Sequence, residues 1–139
     1  MTVLPFFPNV VSSQNYTIKL DHRNKSKDKS QWTISHQDEV DVFVNAYTRK
    51  WVCNNNSWGL FYKNGKIDYL GVAQDHVTQV FISKFVNDAN HSNWHGYPAD
   101  HKKHSQDIPD RIILDDWINN NVLPKAKIRK IQGMLPCKL

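Results

Sequence analysis

The chain has 139 residues and a formal net charge of +5 at pH 7, with 40% apolar, 22% charged and 12% aromatic residues. That length suits one domain of roughly 100–200 residues with a true core. The aromatic content, which includes five Trp, excludes a disordered chain, a collagen and a disulfide scaffold.

A single domain over 1–139 is expected, with residues 1–14 a proline-containing arm. Met1–Pro8 is apolar but has no basic leader and carries Pro5 and Pro8, which makes it a poor secretion signal. No run approaches the about 18 apolar residues of a membrane span. The expectation is therefore a cytoplasmic protein without a membrane partner. Pro5 and Pro8 hold the arm extended and offer Phe6 and Phe7 to the core or to a partner.

Tyr16, Ile18 and Leu20 alternate with polar residues and predict a strand. Asp21–Ser30 is polar and basic and predicts a loop, and Trp32–Ile34 a short second strand. Ser35 is a good N-cap, with Asp38 completing a variant of the capping box. Val40, Phe43, Val44, Tyr47 and Trp51 then form one apolar stripe at helical spacing, and Asn54–Asn56 marks the end of that helix. Asn64-Gly65 predicts a two-residue type I′ turn, because both residues tolerate positive φ. The turn sets Tyr62 against Ile67, Leu60 against Tyr69 and Lys63 against Lys66.

Asp75 is the expected cap of a second helix carrying Val77, Val80, Phe81, Ile82 and Phe85. Asn87–Gln106 lacks periodicity and reads as a loop. Pro109 opens a third helix with Ile112, Ile113, Leu114, Trp117 and Ile118 apolar, broken by Asn119–Asn121. Pro124 opens a fourth, with Ile128 and Ile131 inward and Gly133 as its stop. The expected fold is α+β, a small antiparallel sheet with about four helices on one face.

Chemistry concentrates in His91–His104, which holds four of the seven His together with Trp94, Tyr97 and Asp100. Bulky aromatics in a loop dock on a core or bind something. An imidazole can take the proton of an RNA 2′-hydroxyl while a second protonates the leaving group, since its pKa lies near working pH. His95 with His101 or His104 are the candidates for that metal-independent chemistry. Lys102 and Lys103 would neutralise phosphate, and Trp94 or Tyr97 would stack a base. His91/His95 and His101/His104, with Asp100 or Asp107, are the alternative metal-ligand pairs. The spacing of a structural zinc site is absent, and no metal or other cofactor is expected. Cys53 and Cys137 read as idle thiols.

Positive charge is clustered. Asn121–Leu139 carries Lys125, Lys127, Arg129, Lys130 and Lys138 with no acid, and Lys19–Lys29 carries five bases against Asp21 and Asp28. Such clusters suit phosphate or an acidic protein partner.

Trp94-His-Gly-Tyr-Pro98-Ala-Asp100, the Ile113-Leu-Asp-Asp-Trp117 helix and Leu123–Gly133 followed by Pro136-Cys137 together resemble a family of small uncharacterised bacterial proteins. The similarity runs from about Val40 to Cys137. It implies a prokaryotic or mobile-element setting and transfers no residue role.

The leading expectation is a basic module that binds nucleic acid, RNA favoured, or serves as accessory subunit of a larger prokaryotic or defence assembly. Its nucleic-acid contacts would be Trp94, Tyr97, Lys102, Lys103, Lys125, Lys127, Arg129 and Lys130. The alternatives are a toxin-like endoribonuclease using His95 with His101 or His104, and a purely protein-binding subunit.

Overall fold

The structure is a computed structural model that describes residues 2–5 as backbone and residues 14–88 and 92–139 in full. In chain order its strands are β1 (Thr2–Pro5), β2 (Asn15–Ile18), β3 (Gln31–Trp32), β4 (Val52–Cys53), β5 (Asn56–Lys63), β6 (Lys66–Asp68), β7 (Gly71–Val72), β8 (Gln79–Val80), β9 (Ile82–Asn87) and β10 (Asn93–Pro98). The helices are α1 (His36–Thr48), α2 (Arg111–Asn119) and α3 (Lys125–Gln132). The class is α+β as expected, with three α-helices among the described residues rather than about four.

Local chemistry explains most boundaries. The Ser35 hydroxyl accepts the Asp38 N–H at 3.0 Å and starts α1. The helix ends early, at Thr48, with Lys50 just beyond it at φ 64°, and the asparagines expected to stop it turn the chain from β4 into β5 instead. At the hairpin, Asn64 and Gly65 have φ of 53° and 77°, the signature of a type I′ turn. Tyr62 faces Ile67 and Lys63 faces Lys66, but the ladder stops at Asp68, so Leu60 and Tyr69 are not paired. Asp110 caps α2 by accepting the Ile112 N–H at 3.1 Å, and Asn121 with φ 57° follows its end. Ile128 and Ile131 of α3 point inward as the spacing dictates, whereas Ile112 of α2 is exposed.

The main sheet runs β1-β2-β10-β9-β5-β4, with β6 also on β5. β2 and β10 are parallel and the other pairs antiparallel, so the sheet is mixed rather than purely antiparallel. A second sheet, β3-β7-β8, is antiparallel. Thr2–Pro5 of the expected arm is the edge strand β1, whereas Phe6 and Phe7 lie outside the described residues.

The largest correction concerns residues 75–98. The expected second helix is β8 and β9. Asp75 caps no helix: its carboxylate accepts from the Val77 and Thr78 N–H groups and closes a turn. β9 lies between β5 and β10, and Ile82, Ser83, Lys84 and Phe85 are all buried, the continuous pattern of a strand covered on both faces. The expected loop after it begins with β10, in which Trp94, Gly96 and Pro98 face inward. Gly96 is required there, because an added Cβ would stand 2.2 Å from Phe85 Cδ1 and 3.0 Å from the Lys84 carbonyl oxygen.

The helices cover both faces rather than one. Val42 of α1 lies 2.9 Å from where a Cβ on Gly59 would stand, and Val40, Phe43, Tyr16, Phe85 and Trp94 share its core. The opposite side of β5 and β9, through Trp58, Leu60 and Ile82, packs on Ile113, Leu114 and Trp117 of α2 and Ile128 and Ile131 of α3. Two apolar cores back to back make the sheet a rigid platform for its loops and for the C-terminal segment.

Candidate nucleic-acid interface

After α3 the chain turns at Met134, φ 58°, and runs back as residues 135–139 without regular structure. It is tied down at three points. Leu135 N–H donates to the Lys130 carbonyl oxygen at 2.9 Å. The Leu135 carbonyl oxygen accepts from His101 Nε2 at 2.7 Å. Lys127 Nζ donates to the Leu139 carbonyl oxygen at 3.1 Å. Pro136–Leu139 line one concavity, and Leu139 also lines a second.

The first has a volume of about 440 Å³ and is lined by Val77–Ile82, Ala99–Lys102 and Pro136–Leu139. Asp100 and His101 are buried within this lining. Asp100 Oδ1 accepts from the Lys102 backbone N–H at 3.0 Å and stands 3.3 Å from Lys102 Nζ. On the adjoining turn the Asp75 carboxyl is held down to about 2, chiefly by hydrogen bonds from the Thr78 hydroxyl and the Thr78 and Val77 N–H groups, with a smaller pull from Lys102.

The second has a volume of about 510 Å³ and lies between the end of α1, the Asn64-Gly65 hairpin and the start of α3. Its lining carries Arg49, Lys66 and Lys127 and no Asp or Glu. The Arg49 guanidinium sits 5.6 Å from the Tyr62 ring centroid and 5.0 Å from that of Trp51, so the cation is braced by aromatic faces. Tyr62 itself is exposed. Leu139 lines both concavities.

The predicted residues divide. His101 and Lys102 line the first concavity and Lys127 the second. Lys103, His104, Lys125, Arg129 and Lys130 are exposed and line neither. Trp94 is corrected from base platform to core: it is 2% exposed, packs on Phe43 and Tyr47 and donates its indole N–H to Gln14 Oε1 at 2.8 Å. Tyr97 is half-buried and engaged, stacked on His22 at 5.4 Å and donating to Asp107 Oδ1 at 2.6 Å. Burial, then that bond, raise its pKa far above the ordinary phenol value.

His95 does not meet His101 or His104 in either concavity. It projects from the same side of β10 as Tyr97, among Lys19, Asp21, His22 and Asp88, and burial is the main cause that lowers its pKa. His22 Nδ1 lies 2.8 Å from the Ser30 carbonyl oxygen, an acceptor only, so Nδ1 carries the proton and Nε2 the lone pair. Its pKa is also lowered, first by burial. Beside them Lys84 donates to the Gln106 carbonyl oxygen at 2.7 Å, 3.8 Å from Asp107 Oδ1. Burial lowers the Lys84 pKa, and Asp107 partly counters it.

No family model, curated protein or solved structure matches this chain. Among the described residues, no group of three or more His, Cys, Asp or Glu is placed to hold a metal ion, and His91 lies outside them. No described helix is long and apolar enough to cross a membrane.

Sequence reasoning missed Arg49, Tyr62, Lys66 and His22, whereas Lys138 belonged to the basic C-terminal cluster. The hairpin that carries Tyr62 and Lys66 was recognisable from Asn64-Gly65. What linked them to Lys127 was the packing of α3 beneath β5, which no local pattern announces.

Proposed function

We propose that the chain binds single-stranded nucleic acid, RNA in preference, along the two adjoining concavities, as a module of a larger prokaryotic or mobile-element assembly. The observation that carries this reading is charge in a concave setting. Arg49, Lys66, Lys127, Lys102 and Lys138 line two cavities that meet at Leu139, and Asp100, the carboxylate side chain among them, is already paired with Lys102. Phosphate contact through Lys and Arg needs no motif, only placement. Tyr62 beside Arg49 offers a ring on which an unpaired base can stack. Pocketed contacts suit splayed single strands better than a stacked duplex.

Fluorescence anisotropy with a labelled 12-nucleotide RNA tests this. Affinity falls as salt rises, with a log–log slope of about 0.7 for each phosphate neutralised on a single strand. The double variant Lys66→Glu/Lys127→Glu lowers the slope by about 1.4 and weakens binding. A slope of zero, or no binding at low salt, removes the reading.

A second reading, metal-independent RNA cleavage, draws on His22 and His95. A neutral His22 whose Nε2 holds the lone pair could take the 2′-hydroxyl proton. The 2′-oxygen would then displace the 5′-oxygen at phosphorus, and that oxygen would take its proton from the imidazolium form of His95, which burial confines to lower pH. Cleavage in the presence of chelator, abolished by His95→Ala and by His22→Ala, supports it. Intact RNA after prolonged incubation removes it.

A further inference from the structure

The first concavity has features the phosphate contacts leave unused. Its volume of about 440 Å³ falls within the roughly 300–1,000 Å³ of small-ligand sites. Its walls include Phe81, Val77 and Pro136, and Asp100 and His101 are buried in it. Asp100 Oδ1 is used by Lys102, whereas Oδ2 has no hydrogen-bond partner among the described residues. An ionised carboxylate only accepts. His101 Nε2 is already engaged by the Leu135 carbonyl oxygen, so the carboxylate is the acceptor left to a ligand.

A pocket that presents acceptors selects a ligand edge that presents donors. Among the four RNA bases, guanine alone carries two adjacent N–H donors, N1–H and the N2 amino group, on its pairing edge. Adenine and cytosine place a lone pair beside their amino group, and uracil flanks its N–H with two carbonyl oxygens. Either arrangement sets an oxygen or nitrogen lone pair against the carboxylate. Apolar walls suit the flat faces of a base, and Lys102 and Lys138 at the same cavity suit its phosphate.

We propose that this cavity takes one unpaired guanine of the bound strand, with Asp100 Oδ2 accepting from its N1–H and N2–H donors. The proposal rests on the single-strand reading and adds base selectivity to it. Labelled 12-mers, one all-uridine and one with a single central guanosine, are titrated at the same salt concentration. The guanosine strand should bind about fivefold tighter, the low end of the range for a base-edge contact. Asp100→Asn, which sets an amide N–H₂ where an acceptor stood, brings the ratio near one. Val77→Trp does the same by narrowing the mouth; Val77 is 77% exposed, so that variant does not disturb the core. A wild-type ratio near one with salt-dependent binding intact overturns the guanine pocket and leaves the single-strand reading standing. A ratio that survives both variants overturns the assignment to this cavity. Failure to bind either strand overturns both proposals.

Discussion

Removal of the Arg23 side chain tests the energetics that hold the basic Lys19–Lys29 segment to the body. Glu39 of α1 is 0% exposed. Its Oε2 accepts from the Tyr16 hydroxyl at 2.5 Å, and its Oε1 accepts from Arg23 Nη2 at 2.7 Å and Nε at 3.1 Å. Arg23 also donates to the Ile34 and Ser35 carbonyl oxygens at 2.7 and 3.2 Å. Arg23→Ala leaves a buried carboxylate with Tyr16 alone, a loss of about 3–5 kcal/mol. For a chain of 139 residues the unfolding entropy near Tm is about 0.3 kcal/mol per K, so Tm falls by about 10–17 °C.

The loss depends on pH. Burial raises the Glu39 pKa above its ordinary 4.5, and the bonds from Tyr16 and Arg23 work against that rise. Between the ordinary and the raised value the folded state holds the proton more than the unfolded state, so this group's contribution to stability weakens as pH rises through that window. Without Arg23 the folded pKa climbs further and the window widens upward. Urea denaturation should therefore find Arg23→Ala more damaging at pH 8 than at pH 5. Adding Glu39→Gln, which removes the charge, should restore about 1–2 kcal/mol at pH 8. A loss under 1 kcal/mol, or equal losses at both pH values, refutes the argument.

Proton-detected NMR titration should find His22 and His95 protonating below the ordinary 6.5, because burial disfavours both imidazolium forms. Their neutral rings support stability above 6.5 and lose that contribution as pH falls towards the depressed values; titration at or above 6.5 contradicts this. Gly96→Ala sets a methyl against Phe85 and a backbone carbonyl and should cost about 3 kcal/mol or more. Gly65→Ala, with φ +77° and open space around it, should cost only about 1–2 kcal/mol. Chemical denaturation of the two variants side by side checks the contrast, and equal losses would contradict it.

The legible parts of the fold were those in which a short segment states its own requirement. Ser35 and Asp38 wrote the start of α1, Asn64-Gly65 the hairpin and its register, and Pro124 with Ile128 and Ile131 the amphipathic α3. Residues 75–98 hid theirs. A strand covered on both faces shows no alternation, and Val80–Phe85, interrupted by Ser83 and Lys84, suits a buried helix equally well. Gly96 and Pro98 look like loop residues until the ring of Phe85 is seen to need the missing Cβ. The site divides the same way. Lys127, His101 and Lys102 stood out by composition. Arg49, Tyr62 and Lys66 join them only because α1, the hairpin and α3 converge, and His22 meets His95 only because β2 pairs in parallel with β10.

In the proposed binding mode one strand occupies both concavities at once. Amide and side-chain NMR shifts of the labelled protein, followed during titration with a short single-stranded RNA, test it most directly. Simultaneous shifts are expected around Tyr62 and Lys66 on one side of Leu139 and around Phe81 and His101 on the other. Shifts confined to Lys19–Lys29, or to the face of α3 that carries Lys125 and Arg129, would contradict it.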